Sequence, residues 1–483
     1  MFAKFFFISS NHTKPLPPSG GGVGERGLGE ISSPSPIKGE GAARWKFAGR
    51  EFFALLALLL SAPAFATPAI QHWQAPSGAE VYFVEDHGLP MLDVSVDFYA
   101  GAAFEPATQS GVAMLTNGML NLGAGGLSED DISRKLADIG AQPGSHFDND
   151  RAGLTMRTLS SETERAQALD VLALMLQSPQ FPDAVLAREK ARQIALLKES
   201  ETQPDYIAEK AYGKAVFGDH PYGRSLEAAD LEKIQRADLA AFYKAHYVAK
   251  GAIVAIMGDI DRAGAEAIAQ KLTAQLPAGV APTEAPPVNT QIAASEQRIA
   301  HPAQQSHILL GAPGMARDDP DYVPLYVGNY ILGGGGFVSR LMNEVRENRG
   351  LAYSVYSYFM PMQQPGGFQI GLQTRKDQAD DALALVRDTL RQFIAKGPTA
   401  GELQAAKDNI IGGFPLRIDS NKEIHEYLGI IGFYKLPLTY LDDFTAKVDK
   451  VTVAQIHEAF RRHIDPDAMA TVMVGAPEAK AAK

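Results

Sequence analysis

The order Ala241-Phe242-Tyr243, then His246, then a strand ending at Met257-Gly258 returns later in the chain. There it reads Ala459-Phe460-Arg461, then His463, then a strand ending at Val474-Gly475. Upstream, the strand and helix across residues 154–176 resemble those across residues 369–390, again at an offset of about 215–218 residues. Two matches at one offset imply two copies of the same domain. A chain of 483 residues also exceeds what a single hydrophobic core supports. Between the copies, Pro277 to Asn289 is rich in Pro, Ala and Thr and reads as a linker. The expected class is α+β, with two homologous sheet-plus-helices lobes at residues 67–276 and 290–478.

Within the first copy the patterns alternate between strand and helix. Val81 to Val84 and the alternating Met91 to Tyr99 predict strands, the second half-buried. Helices are expected over Gly111 to Leu122 and over Glu129 to Leu136, the latter capped by Ser128. A strand over Arg151 to Leu159 is followed by helices over Ser161 to Leu176 and Pro182 to Ser200. A helix over Ala237 to Tyr247 and a strand over Ala252 to Met257 complete the copy. The glycines at 123–126 read as a helix end and turn. Those at 333–336 read as a tight turn before a helix.

The first 66 residues stand apart. Arg44, Lys46 and Arg50 precede the apolar run Phe52 to Leu60, and Ala64-Phe65-Ala66 follows it, the layout of a secretory signal cleaved near Ala66. The run is far shorter than the roughly 20 residues that span a bilayer. A periplasmic or secreted protein with no membrane span after cleavage is expected. Residues 1–43, rich in Gly, Pro and Ser, read as a disordered leader.

Several chemistries are excluded. A net charge of −11 supplies no basic surface for nucleic acid. With no cysteine, the chain has no disulfide, thiolate nucleophile or Cys-ligated metal. No two histidines have the i, i+4 spacing that sets two imidazoles on one helix face, and His457 and His463 straddle a helix end. His146 with Asp148 and Asp150 reads as a solvated polar turn rather than a cation loop. Neither a serine-hydrolase elbow nor a P-loop occurs.

One ordered set of short motifs carries a resemblance. It comprises Leu332-Gly333-Gly334-Gly335-Gly336, Ser339-Arg340-Leu341, Glu344-Val345-Arg346 and Gly350-Leu351-Ala352-Tyr353. Gly111-Val112-Ala113, Met119-Leu120 and His220-Pro221-Tyr222-Gly223 precede it in the first copy. Over residues 75–478 the chain resembles the pitrilysin/insulinase metallopeptidases. That resemblance implies an inverted H-x-x-E-H zinc motif on the first-lobe helix, with a third ligand near Ile194 to Leu196. The matching motif positions here hold Met114, Asn117 and Gly118, and Ile194-Ala195-Leu196-Leu197 has no carboxylate. None of these groups replaces two imidazoles and a general base, so no metal is expected in this chain.

The resemblance further implies that Arg346 and Tyr353 reach a peptide-binding chamber from the second lobe, as donors to substrate and to a developing oxyanion. Some members of the family work as pairs, one subunit carrying zinc and the other this Arg/Tyr pair. The expected function is therefore a non-catalytic subunit of a heterodimeric zinc peptidase. It would pair clamshell-fashion with a zinc-bearing relative around an unfolded peptide, with zinc in the partner. The alternatives are an inert peptide-binding or scaffold protein of the same fold, and an independent hydrolase with a metal site elsewhere.

Overall fold

The computed structural model describes residues 69–476; the leader and signal expectation lies outside them. The first lobe contains strands β1 (Gln71–Gln74), β2 (Glu80–Glu85) and β3 (Met91–Phe98). A small hairpin, β4 (Gly123–Ala124) and β5 (Leu127–Ser128), precedes β6 (Gln142–Phe147), β7 (Ala152–Leu159) and β8 (Ile253–Gly258). The second lobe contains β9 (Ser295–Ile299), β10 (Gln305–Pro313), β11 (Ser354–Phe359), β12 (Gly367–Arg375) and β13 (Ala470–Val474).

The two large sheets repeat one topology. Their orders are β1-β2-β8-β3-β7-β6 and, read in the same sense, β9-β13-β10-β12-β11. Each has one parallel pair at the equivalent place, β2 with β8 and β9 with β13, and is otherwise antiparallel. Such a shared exception is hard to obtain without duplication. The helices follow suit: Glu162–Gln177 corresponds to Ala379–Lys396, and Arg236–His246 to Val453–His463.

The lobes exchange a helix. Pro204–Phe217, within the first copy, packs Ala208, Tyr212 and Val216 against Leu309, Val472 and Val474 of the second sheet. Tyr212 Oη donates to the carbonyl of Phe368 at 2.7 Å. Its counterpart, Asn421–Phe433, covers the first sheet, placing Leu428 and Ile431 in one core with Tyr82, Ile253 and Ala255. Gly432 lies so close that a Cβ there would sit 2.6 Å from Ile253. This exchange corrects the reading of β3 as half-buried. Asp93, Ser95 and Asp97 alternate with Leu92, Val94 and Val96, yet all are buried, because a helix from 330 residues downstream covers the polar face.

Local readings hold with shifts at the ends. Ser128 caps Glu129–Asp138 in a capping box with Asp131. The helix expected to reach Leu122 stops at Gly118. Gly125 (φ 57°) and Gly126 (φ 86°) then make the two-residue turn of the β4–β5 hairpin, where two consecutive positive φ values favour glycine. The second-lobe glycines are not a simple turn either. Helix Tyr322–Asn329 widens into a π-helical turn, Tyr330–Gly334, and Gly336 (φ 63°) opens a 3₁₀ turn to Val338. The expected linker carries no regular element, but it is a strap rather than a free tether: Ala281 and Ala285 are buried, and Gln363 bonds Ala285 N and Thr283 O at 2.7 and 2.6 Å.

Candidate functional site

Helix Val112–Gly118 would carry the zinc motif. Its start is fixed by the buried Glu105, whose carboxylate accepts from Gly111 N at 3.0 Å and Ala113 N at 2.8 Å. Burial pushes Glu105 up to about 7, against the amides of Gly111, Ala113 and Met114 and the Arg224 charge. Met114 packs against the first-lobe core and lines a pocket of about 100 Å³ with Glu105, Phe147 and Leu226. Asn117 is buried and spent at both ends: Nδ2 donates to His146 O at 2.9 Å, and Oδ1 accepts from Tyr247 Oη at 3.1 Å. Gly118 is exposed, with open space where a side chain would start.

On helix Asp183–Ser200, which carries the expected third-ligand segment, Ile194 packs against the core and Leu197 is buried. The nearby Glu189 is held by Arg188 and Arg192 at 3.0 and 2.7 Å. A thioether in apolar packing, an amide with both ends bonded and a glycine do not fit a zinc ion.

The loop at 146–150 is neither a cation site nor a solvated turn. His146 Nε2 lies 2.7 Å from Oδ1 of the buried Asp97, and Arg151 reaches its Oδ2 at 3.4 Å. Burial alone would raise Asp97; His146 and Arg151 outweigh it and hold the carboxyl below its usual value. Asp150 joins the lobes, accepting from Tyr222 Oη (2.6 Å), Tyr434 Oη (2.9 Å) and Gln363 N (2.8 Å). Burial raises Asp150 in spite of these bonds. The His220-Pro221-Tyr222-Gly223 motif thus supplies a structural tyrosine to the lobe interface.

In the second lobe the structure does bring the two predicted residues together. Arg346 lies on the π-helical stretch Met342–Glu347, and Tyr353 immediately precedes β11. The Arg346 guanidinium sits 4.9 Å from the Phe337 ring centre and 5.5 Å from that of Tyr353, close enough to both for cation–π attraction. Its ion pair is a loose 3.6 Å contact to the neighbouring Glu347. Tyr353 is 75% exposed and Phe337 65%, so neither ring belongs to the core. Sequence reasoning missed Phe337; an aromatic residue directly behind four glycines was the available signal.

Comparison with known proteins places this geometry. The family model described as Insulinase (Peptidase family M16) matches residues 81–230, and that described as Peptidase M16 inactive domain matches residues 233–410. The non-peptidase homolog YmxG of Helicobacter pylori is 27% identical over 394 residues, spanning 80% of this chain and 89% of its own. The crystal structure of a peptidase M16 inactive domain from Pseudomonas fluorescens superposes with a TM-score of 0.82 at 38% identity, covering 85% of this chain and 99% of that one. The periplasmic protease PqqL from Escherichia coli shares the fold, with a TM-score of 0.72 at 17% identity over 85% of this chain and 46% of its own. On the matched models and on a two-lobed fold whose zinc positions are filled by other chemistry, this chain belongs to the insulinase family of peptidases, M16, and is of its inactive type.

Proposed function

We propose that this chain is the non-catalytic subunit of a heterodimeric zinc peptidase, pairing with a zinc-bearing relative around an unfolded peptide. The observation that carries the reading is the contrast between the two lobes. The metal positions are absorbed into packing at Met114 and Asn117, while Arg346 is held between two exposed rings beside a free-standing Tyr353 hydroxyl. Burying these groups would serve stability; presenting them serves a ligand.

Arg346 offers a planar fork of donors to a peptide carbonyl, and Tyr353 offers one O–H toward an oxygen that gains charge during hydrolysis. The metal and the attacking water belong to the partner. A signal cleaved near Ala66 would export the chain to the periplasm or beyond it. No helix among the described residues is long and apolar enough to cross a membrane.

The test is peptidase activity of residues 67–483, alone and mixed with the zinc-motif relative. Activity in the mixture only, reduced about 10²-fold by Arg346→Ala, supports the reading. Full activity of the isolated chain would overturn it, and no gain on mixing would assign the chain to the scaffold class.

A further inference from the structure

The last helix, Val453–His463, ends beside the loop that leads into helix Tyr322–Asn329, and three ligating groups meet there. His463 Nε2 is 3.2 Å from Asp321 Oδ2 and 3.7 Å from Asp319 Oδ1, with all three side chains only 17–18% exposed. One ligand atom from each lies within 4.8 Å of the others. Zinc bonds of roughly 2.0–2.1 Å to nitrogen and oxygen put neighbouring corners of a tetrahedron about 3.3–3.5 Å apart. The two His463 spacings bracket that edge.

The surroundings orient the same atoms. His463 Nδ1 faces the carbonyl of Gly314 at 3.4 Å, and Nε2 points to the carboxylates. Arg462 fixes the Asp321 carboxylate, with Nη2 at 2.8 Å from both oxygens and Nε at 3.0 Å from Oδ2. Asp319 Oδ1 is held by the Asp321 amide at 2.8 Å.

We propose that Asp319, Asp321 and His463 bind a divalent transition cation of the zinc class, with water completing the shell. The site pins the end of the last helix to the loop before Tyr322. It lies apart from Met114 and Asn117 and supplies no hydrolytic chemistry. Spacing within one helix cannot reveal it, because His463 and Asp321 are 142 residues apart; the expectation of no metal in this chain rests on Met114, Asn117 and Gly118 and does not reach these residues.

The experiment strips residues 67–483 with chelator, dialyses them against Zn²⁺ and counts bound metal. Co²⁺ replaces Zn²⁺ in a parallel sample, to read tetrahedral d–d bands. One ion per chain is expected, with affinity lowered more than about ten-fold by His463→Ala and by the near-isosteric Asp319→Asn. It should persist in His87→Ala, which removes the imidazole that contacts Glu85 and Asp259 at the surface. Thermal unfolding checks that each variant folds, and Asp319→Asn decides if His463→Ala does not. No bound ion in the parent chain, or equal binding in Asp319→Asn, would overturn the proposal. Zinc bound by an isolated chain without peptidase activity supports it and leaves the heterodimer reading intact.

Discussion

At the scale of single residues, Asn117 shows how a catalytic position becomes a structural one. Its amide ties the motif helix to the carbonyl of His146 and to the Tyr247 hydroxyl, so each end has the partner its chemistry needs. A carboxylate there would face the His146 carbonyl, acceptor against acceptor, in a buried place. Asn117→Glu is expected to cost about 2–3 kcal/mol in urea unfolding. Gly118→His, in open space, should be nearly neutral.

Glu105 yields a pH prediction at the same scale. Its folded pKa of about 7 exceeds the ordinary glutamate value of 4.5. Protonated Glu105 therefore favours the fold, its contribution complete below about pH 4.5 and lost as pH rises through 7, worth about 3 kcal/mol. Stability measured across that window should fall with pH, and Glu105→Gln should flatten the slope.

At the scale of elements, the strand and helix periods were readable because they depend on local alternation and capping. Ser128 before Glu129 is a clear case. What periodicity could not state is which sheet a helix covers. Pro204–Phe217 and Asn421–Phe433 each lie on the sheet of the other copy, and the buried polar face of β3 follows from that exchange alone. The π-helical widening at Tyr330–Gly334 was equally hidden, since glycine permits many backbones and specifies none. The exchanged helices make close contacts that a methyl group would break. Gly432→Ala meets Ile253 and Tyr82 within 2.6–2.7 Å and is expected to cost about 1–3 kcal/mol, read as a lower unfolding midpoint.

At the scale of the whole molecule, the duplication legible at an offset of about 217 residues is also why the lobes cannot be separated. Residues 67–276 alone would lose the helix that covers Tyr82, Ile253 and Ala255, and Asp150 would lose Tyr434 and Gln363. Each lobe expressed singly is expected to aggregate or stay molten, and co-expression should restore soluble protein; a monomeric, cooperatively folding 67–276 fragment would contradict this. The candidate site divides in the same way. Arg346 and Tyr353 were legible through motif order, whereas Phe337 was signalled only by its place behind four glycines, and its position against the guanidinium depends on how that segment folds.

The proposed role is for this chain to complete a peptidase zinc site carried by its partner. The most direct measurement is peptide hydrolysis by residues 67–483 mixed with the zinc-motif relative, comparing the parent chain with Arg346→Ala. No turnover is expected from either protein alone, turnover from the mixture, and a loss of about 10²-fold in kcat/KM with Arg346→Ala. Unchanged turnover of the mixture with Arg346→Ala, or hydrolysis by the isolated chain, would contradict it.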